Sequence, residues 1–216
     1  HLARQNPRDY LDGLVAGVRG ALAQAAARPG FSADDVIGIG VDTTGSTPLP
    51  VDAEGRPLAF DARFRDDLDA YVWLWKDHTA HAEAREITRV AAAMRPQYLA
   101  KCGGTYSSEW FFSKIFHCLR TSPEVFDAAF SWVECADWIP AMLTGSEAPA
   151  TLMAGICAAG NKAMYHRDWG GYPDAQFLSQ LHPKLGELRA RLCPKASTID
   201  QAAGRLTAGW ARRTGL

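Results

Sequence analysis

Val36-Ile37-Gly38-Ile39-Gly40-Val41-Asp42 is apolar and β-branched almost without interruption, and Thr43-Thr44-Gly45-Ser46-Thr47 follows as a run of small, mostly hydroxyl-bearing residues. A short continuous apolar run is the pattern of a strand covered on both faces. It predicts a buried strand of a parallel sheet that leaves into a small-residue turn. Ligands of α/β folds bind outside the carboxyl ends of such strands, which makes Asp42 to Thr47 the first place to look for a site.

Upstream, Asn6-Pro7-Arg8-Asp9 supplies a capping side chain, a proline at the first helical position and an acid in the first turn. Leu11, Leu14, Val15, Val18 and Leu22 then recur at helical spacing, predicting an amphipathic helix that ends near Pro29-Gly30. Downstream, Pro48 to Leu58 reads as a hairpin around Asp52-Ala53-Glu54-Gly55. Tyr71-Val72-Trp73-Leu74-Trp75 is aromatic and β-prone, and Lys76-Asp77-His78 leads from it into an Ala-rich helix running to about Ala93. Ser107 is placed to cap a helix whose apolar stripe is Phe112, Ile115, Phe116 and Leu119. Phe130 to Cys135 reads as a strand, Asp137 as the cap of a short helix, and Thr144-Gly145 as its end. Asp174 to Leu192 is helical with a break at His182-Pro183, and a last helix from Leu206 to Arg213 is stopped by Gly215. Strand and helix alternate without a linker or internal repeat, which predicts one α/β domain, or most of one.

Composition narrows the partners. With 23 Lys+Arg against 24 Asp+Glu, the net charge of −1 supplies no field to gather nucleic acid or anionic lipid, so neither a nucleic acid nor a membrane is an expected partner. No apolar run reaches the roughly 20 residues of a spanning helix, and His1-Leu2-Ala3-Arg4 begins no signal-peptide pattern, so a cytoplasmic location is expected. Five widely spaced cysteines, an odd count, fit a reducing compartment. The chain starts with His rather than Met, so part of something longer is expected.

Several chemistries fail on spacing. Gly38, Gly40 and Gly45 miss the dinucleotide fingerprint, because the first two lie inside the strand and the third comes too late. No Gly-x-x-x-x-Gly-Lys loop occurs, and no serine sits in a nucleophile-elbow context. His78 and His81, with Asp77 alongside, lack a third metal ligand at fitting spacing, so no metal site is assigned. Tryptophan beside Lys76 and Asp77 suits a polyol, whose C–H face packs on the ring while its hydroxyls take directed hydrogen bonds. The same pattern equally suits Trp73 and Trp75 as core with surface charges after them.

Four motifs carry a family resemblance. Val36 to Pro48, Leu74-Trp75-Lys76-Asp77-His78-Thr79-Ala80, Gly103-Gly104-Thr105-Tyr106-Ser107-Ser108-Glu109-Trp110 and Ala136-Asp137-Trp138-Ile139-Pro140 resemble, in order, the L-ribulokinase branch of the FGGY carbohydrate kinases. Gly160-Asn161-Lys162-Ala163 and Trp169-Gly170-Gly171-Tyr172-Pro173 continue the match, which runs from Asn6 to Leu216. The resemblance implies a ribonuclease-H-like/actin-like ATPase domain, incomplete, with residues 1–216 as part of the N-terminal domain. The first strands with the phosphate loop and the nucleotide-binding domain would lie outside it. It implies part of an ATP-dependent ribulokinase acting on the 5-hydroxyl of L-ribulose, with ATP and Mg2+ serving the complete enzyme and neither bound by this chain alone. The alternative is a non-catalytic sugar-binding or regulatory module derived from such a kinase.

Three substrate-binding residues carry over by the same resemblance. Gly45 stands where the family places a small residue against the sugar, Trp75 matches the tryptophan of the sugar wall, and Lys162 matches a lysine that reaches substrate hydroxyls. No catalytic residue is assigned, because the family's base lies in a motif expected downstream of Leu216. Asp77, Glu109 and Asp137 are read as structural, capping helices and bracing turns. The expected partners are a ketopentose and either a second copy of the chain or the remainder of a longer polypeptide.

Overall fold

The computed structural model describes residues 1–216. In chain order its elements are β1 (Arg4–Gln5), α1 (Pro7–Ala26), β2 (Pro48–Val51), β3 (Val72–Trp73), α2 (His81–Met94), α3 (Pro96–Ala100), α4 (Phe111–Thr121), α5 (Pro123–Ala128) and β4 (Ser131–Glu134). Then follow α6 (Cys135–Thr144), β5 (Ala154–Gly155), α7 (Ile156–Lys162), α8 (Ala175–Leu181), α9 (Pro183–Leu188), β6 (Ala196–Ser197) and α10 (Ala208–Thr214). The strands form three two-stranded sheets. β1 pairs with β3 and β2 with β4, both antiparallel, while β5 and β6 are parallel.

Local chemistry explains most boundaries. Asn6 accepts a hydrogen bond from the Arg8 amide ahead of Pro7, and Asp174 accepts one from the Phe177 amide at the start of α8. His182-Pro183 separates α8 from α9, and Gly145 and Gly215 end α6 and α10 in the left-handed conformation. In the 52–55 turn, Asp52 Oδ1 accepts from the Glu54 and Arg56 amides. Gly55 there, at φ +81°, passes so close to Glu147 that a Cβ would sit 2.0 Å from its carbonyl oxygen. The main partner of β2 is not the other arm of that turn but β4, which arrives from the far side of α4 and α5. Thr47 and Val51 accept from the Cys135 and Phe130 amides, so Pro48 and Pro50, of opposite parity, turn away from β4 and cost the ladder no donor.

One cluster of 46 buried apolar residues extends from Leu11 to Trp210, so α1 and α10 share a core with everything between them. Trp73, Trp132, Trp138, Tyr98 and Phe112 are its largest fully enclosed members.

Three expectations are corrected. Val36–Asp42 is not a buried parallel strand: it has no regular structure, Ile37 is fully exposed, and Val36 and Ile39 are exposed as well. The reason is the absence of a partner. No strand of this chain lies alongside, and residues 37–44 make no backbone–backbone hydrogen bond. Ser107 does not cap α4; its hydroxyl accepts from the Glu109 amide in the preceding turn, and Trp110 occupies the cap position. Asp137 does not cap α6 either, since Glu134 stands at that position and Asp137 lies inside the first turn.

Candidate functional site

A cavity of about 850 Å3 opens between the 39–45 segment, the first turns of α6, the β5–α7 corner and the chain after β6. Its wall is largely apolar, with a few polar groups at defined places: Asp42, Thr43, Asp137, Asn161, Lys162 and Ser197. Gly45 and Lys162 both line it, so two of the three substrate-binding residues named from the sequence meet there. Space above the Gly45 Cα is open, with nothing within 4 Å of where a Cβ would stand. Thr43 Oγ1 is buried without a hydrogen-bond partner. A hydroxyl in that state is a donor and an acceptor waiting for a polar ligand atom.

Lys162 closes α7. Its carbonyl accepts from the Tyr106 hydroxyl at 2.6 Å, and its ammonium lies 5.2 Å from the Trp110 ring centroid. Trp75 does not line the cavity. The residue is 48% exposed beyond the end of β3, whereas Trp73, two residues earlier, is fully buried under the Arg4 guanidinium. Of the two tryptophans, Trp73 is core and Trp75 is not.

What joins these segments is a lysine that sequence reading passed over. Lys114, in the middle of α4, is fully buried, and its Nζ donates to Ser46 O at 2.6 Å, Leu74 O at 2.8 Å and Trp73 O at 3.4 Å. Glu134, at the end of β4, accepts from the Thr47 amide through Oε2 at 2.8 Å while its Oε1 is buried without a partner. Burial pushes the Glu134 carboxyl up and the Lys114 ammonium down, and the charge of each opposes the other's shift. Lys162 adds a second positive charge near Glu134. Ser46 sits at φ +63°, a left-handed conformation uncommon outside glycine, with its hydroxyl donating to Glu109 O at 2.7 Å.

The acids read as structural are tied into the frame. Asp77, wholly buried, accepts from the Ala3 and Thr79 amides and the Thr79 hydroxyl and pairs with Arg4. Glu109 Oε1 lies 3.5 Å from His78 Nε2, and the His78 and His81 rings stack at 6.1 Å. Asp137 bridges α6 to β5, accepting from the Gly155 amide at 2.8 Å. Burial first, and the Glu134 carboxylate second, push Asp137 up to about 8, against the pull of the Gly155 hydrogen bond.

The signal for Lys114 and Glu134 was present in the sequence. Lys114 falls among Phe111, Phe112, Ile115 and Phe116 in a turn with no polar face to spare, and Glu134 ends a four-residue strand buried along its whole length. A charge forced inside in this way must be hydrogen-bonded.

No protein-family model matches the chain. Its fold is that of part of a sugar-kinase domain. A ligand-bound xylulose kinase from Lactobacillus acidophilus superposes on 100% of this chain and 38% of its own, with TM-score 0.71 and 15% identity. A gluconate kinase from the same organism covers 100% and 37%, with TM-score 0.68 and 15% identity. In sequence the chain is similar to the ribulokinases. It is 45% identical over 214 residues to that of Vibrio parahaemolyticus and 41% identical over 215 to that of Shouchella clausii. Each alignment takes in 99% of this chain but only 37% and 36% of the relative, so the chain spans little more than a third of the length of these curated relatives. The resemblance to the ribulokinase branch of the FGGY carbohydrate kinases thus holds along the whole chain.

Proposed function

We propose that residues 1–216 are the sugar-facing part of the N-terminal domain of an ATP-dependent kinase that phosphorylates a ketopentose, L-ribulose at its 5-hydroxyl. The observation that carries this reading is the convergence of Gly45, Lys162 and the unpartnered Thr43 hydroxyl on one cavity. A pentulose is a chain of hydroxyls on a small carbon frame. It needs a few placed polar groups in a concave, mostly apolar wall, in a volume of this order. Lys162 supplies an ammonium donor and the Thr43–Gly45 turn supplies a hydroxyl and open backbone, while the half-exposed Trp75, outside the cavity, would join the site only through a part of the sugar that reaches beyond it.

The residues present do not fit a nucleotide–metal site. The sequence has no phosphate-binding loop of the Gly-x-x-x-x-Gly-Lys type, and no group of three His, Cys, Asp or Glu side chains could hold a metal ion. On this reading ATP and Mg2+ serve the complete kinase. The exposed Val36, Ile37 and Ile39 support an assembly in which a second copy or the remainder of a longer polypeptide covers that stretch. Five free cysteines fit a reducing compartment such as the cytoplasm, and no helix is long and apolar enough to cross a membrane.

The test is kinetic, in the complete kinase. Lys162→Met is expected to raise the KM for L-ribulose about tenfold or more, in line with the roughly 1.5–3 kcal/mol of a charged hydrogen bond, and to leave the KM for ATP unchanged. Residues 1–216 alone are expected to show no turnover on the roughly 1–100 s−1 scale of kinases. Unchanged ribulose kinetics for Lys162→Met would remove this residue from the site and the reading with it.

A further inference from the structure

The Gly45-Ser46 turn and the Leu74-Trp75 segment lie far apart in sequence, and no shared strand ladder holds them together. Neither carries a long side chain that reaches the other. The connection is made by α4, which sends a single side chain between them. Lys114 Nζ meets Ser46 O at 2.6 Å on one side and Leu74 O at 2.8 Å on the other, with Trp73 O at 3.4 Å behind. An ammonium has three donors and no acceptor, and here all three point at backbone carbonyls rather than at the Glu134 carboxylate. An ammonium used as a bridge between two loops, and not as half of an ion pair, fixes their separation at both ends.

The turn it grips is under strain. Ser46 holds φ +63° without being glycine, and its hydroxyl is anchored on Glu109 O while the next amide, Thr47, is held by Glu134. Such a conformation persists only when its surroundings over-determine it, and Lys114 supplies the third fixed point, on the Ser46 carbonyl itself. Gly45, which lines the cavity, belongs to this turn, and one residue after Leu74 stands Trp75, which lies outside the cavity; both are read as sugar-binding. Glu109, at the other end of the Ser46 hydroxyl, is followed by Trp110, against which the Lys162 ammonium lies.

We propose that Lys114 is a positioning residue for sugar binding: its buried ammonium ties the Gly45-Ser46 turn to the Leu74-Trp75 segment and sets the distance between Gly45, on the cavity, and Trp75, outside it, two of the residues read as sugar-binding. Lys114 touches no sugar. It acts through two carbonyls, whose loss of a donor lets both segments move. This rests on the reading of Gly45, Trp75 and Lys162 as sugar-binding residues.

Lys114→Met, which keeps the length and apolar stem of the side chain, removes the donors alone. Two measurements separate the possible outcomes. In amide hydrogen exchange, the Thr47, Leu74 and Asp77 amides, which donate from the clamped segments to Glu134 Oε2, Ala3 O and Leu74 O, are expected to exchange at least tenfold faster while those of α8 and α9 do not change. In steady-state kinetics of the complete kinase, the KM for L-ribulose is expected to rise at least tenfold with the KM for ATP unmoved. A general loss of structure would not produce that division. Unchanged exchange at the three amides overturns the role of Lys114 even if Lys162→Met raises the sugar KM. Faster exchange with unchanged sugar KM overturns the sugar-site reading of these segments, and the positioning role with it. Should Lys114→Met fail to fold because Glu134 is left uncompensated, Lys114→Met combined with Glu134→Gln carries the same two measurements without a buried charge.

Discussion

Residues 36–41 and 48–51 are both short, apolar and rich in β-formers, they lie a few residues apart, and they come to opposite ends. Pro48–Val51 is buried at every position and laddered to Ser131–Glu134, while residues 36–40 are open to solvent and unpaired and Val41 is half-buried. Intrinsic preference does not separate them, for Val36-Ile37-Gly38-Ile39 is the more β-prone of the two and β2 contains two prolines. Pairing does. A strand is stabilised by its neighbours, and β2 has one in its ladder partner β4, another in β3 packed against it, and a fastening at its entry where Glu134 and Lys114 hold Thr47 and Ser46. The lesson is that a strand-like sequence records what a segment can join, and the rest of the fold decides whether there is anything to join.

The most forceful test of this contrast removes bulk from the paired member. Leu49 is fully buried opposite Val133 and belongs to the common core, so Leu49→Ala leaves a cavity there. A loss of about 2–5 kcal/mol in urea denaturation is expected, the range for such truncations in cores. A loss below about 1 kcal/mol would mean that β2 is no better packed than the 36–41 stretch and would end the comparison.

A smaller effect is expected where β4 runs into α6. The Asp137 carboxyl is held up to about 8, against an ordinary value of 3.8, chiefly by burial. Because the folded value lies above the unfolded one, the folded protein binds the proton more tightly. This contribution is fully present below about pH 4 and is lost progressively as pH rises toward 8. Asp137→Asn keeps an oxygen for the Gly155 amide and never ionises. It is expected to be more stable than the parent at pH 8 by about 1–3 kcal/mol, the usual scale for relieving a poorly solvated buried polar group, with the advantage shrinking by pH 5. Thermal denaturation at the two pH values checks it, and an advantage equal at both would show that the Asp137 proton is not linked to folding.

How much of this was legible follows the same division between local and distant causes. The helix boundaries at Asn6-Pro7, His182-Pro183, Gly145 and Gly215 were readable because each depends on a few consecutive residues and a known backbone preference. The strands at Val72–Trp73 and Ser131–Glu134 were readable as strands, but not their partners, since Arg4–Gln5 and Pro48–Val51 reach them from far along the chain. Gly45 and Lys162 were named through motif resemblance and share a cavity, while the placement of Trp75 outside it depends on how β3 ends. Lys114 escaped because a lysine on a helix is ordinarily a surface residue. Only the apolar residues on both sides of it, and carbonyls arriving from segments around 46 and 74, make it a bridge.

The smallest effect is the one that decides what the unpaired stretch is for. Ile37 is fully exposed in this chain, so Ile37→Ser removes no buried contact, and its stability by urea denaturation is expected to change by less than about 0.5 kcal/mol. Its solution behaviour should change more than its stability. An exposed β-prone run with free backbone donors and acceptors is a template for association, and a hydroxyl in place of the isoleucine weakens the apolar part of that attraction. Residues 1–216 are therefore expected to self-associate in light scattering, and Ile37→Ser to shift the distribution toward the 23.5 kDa monomer. In the complete protein, where the stretch is proposed to be covered, the same substitution should instead destabilise by about 2–5 kcal/mol, as loss of a large buried aliphatic side chain does. A cost equally small in both settings would show that nothing in the longer protein packs on Ile37. A cost equally large in both would show that the 216-residue chain in solution buries this stretch itself, and the contrast with Pro48–Val51 would disappear.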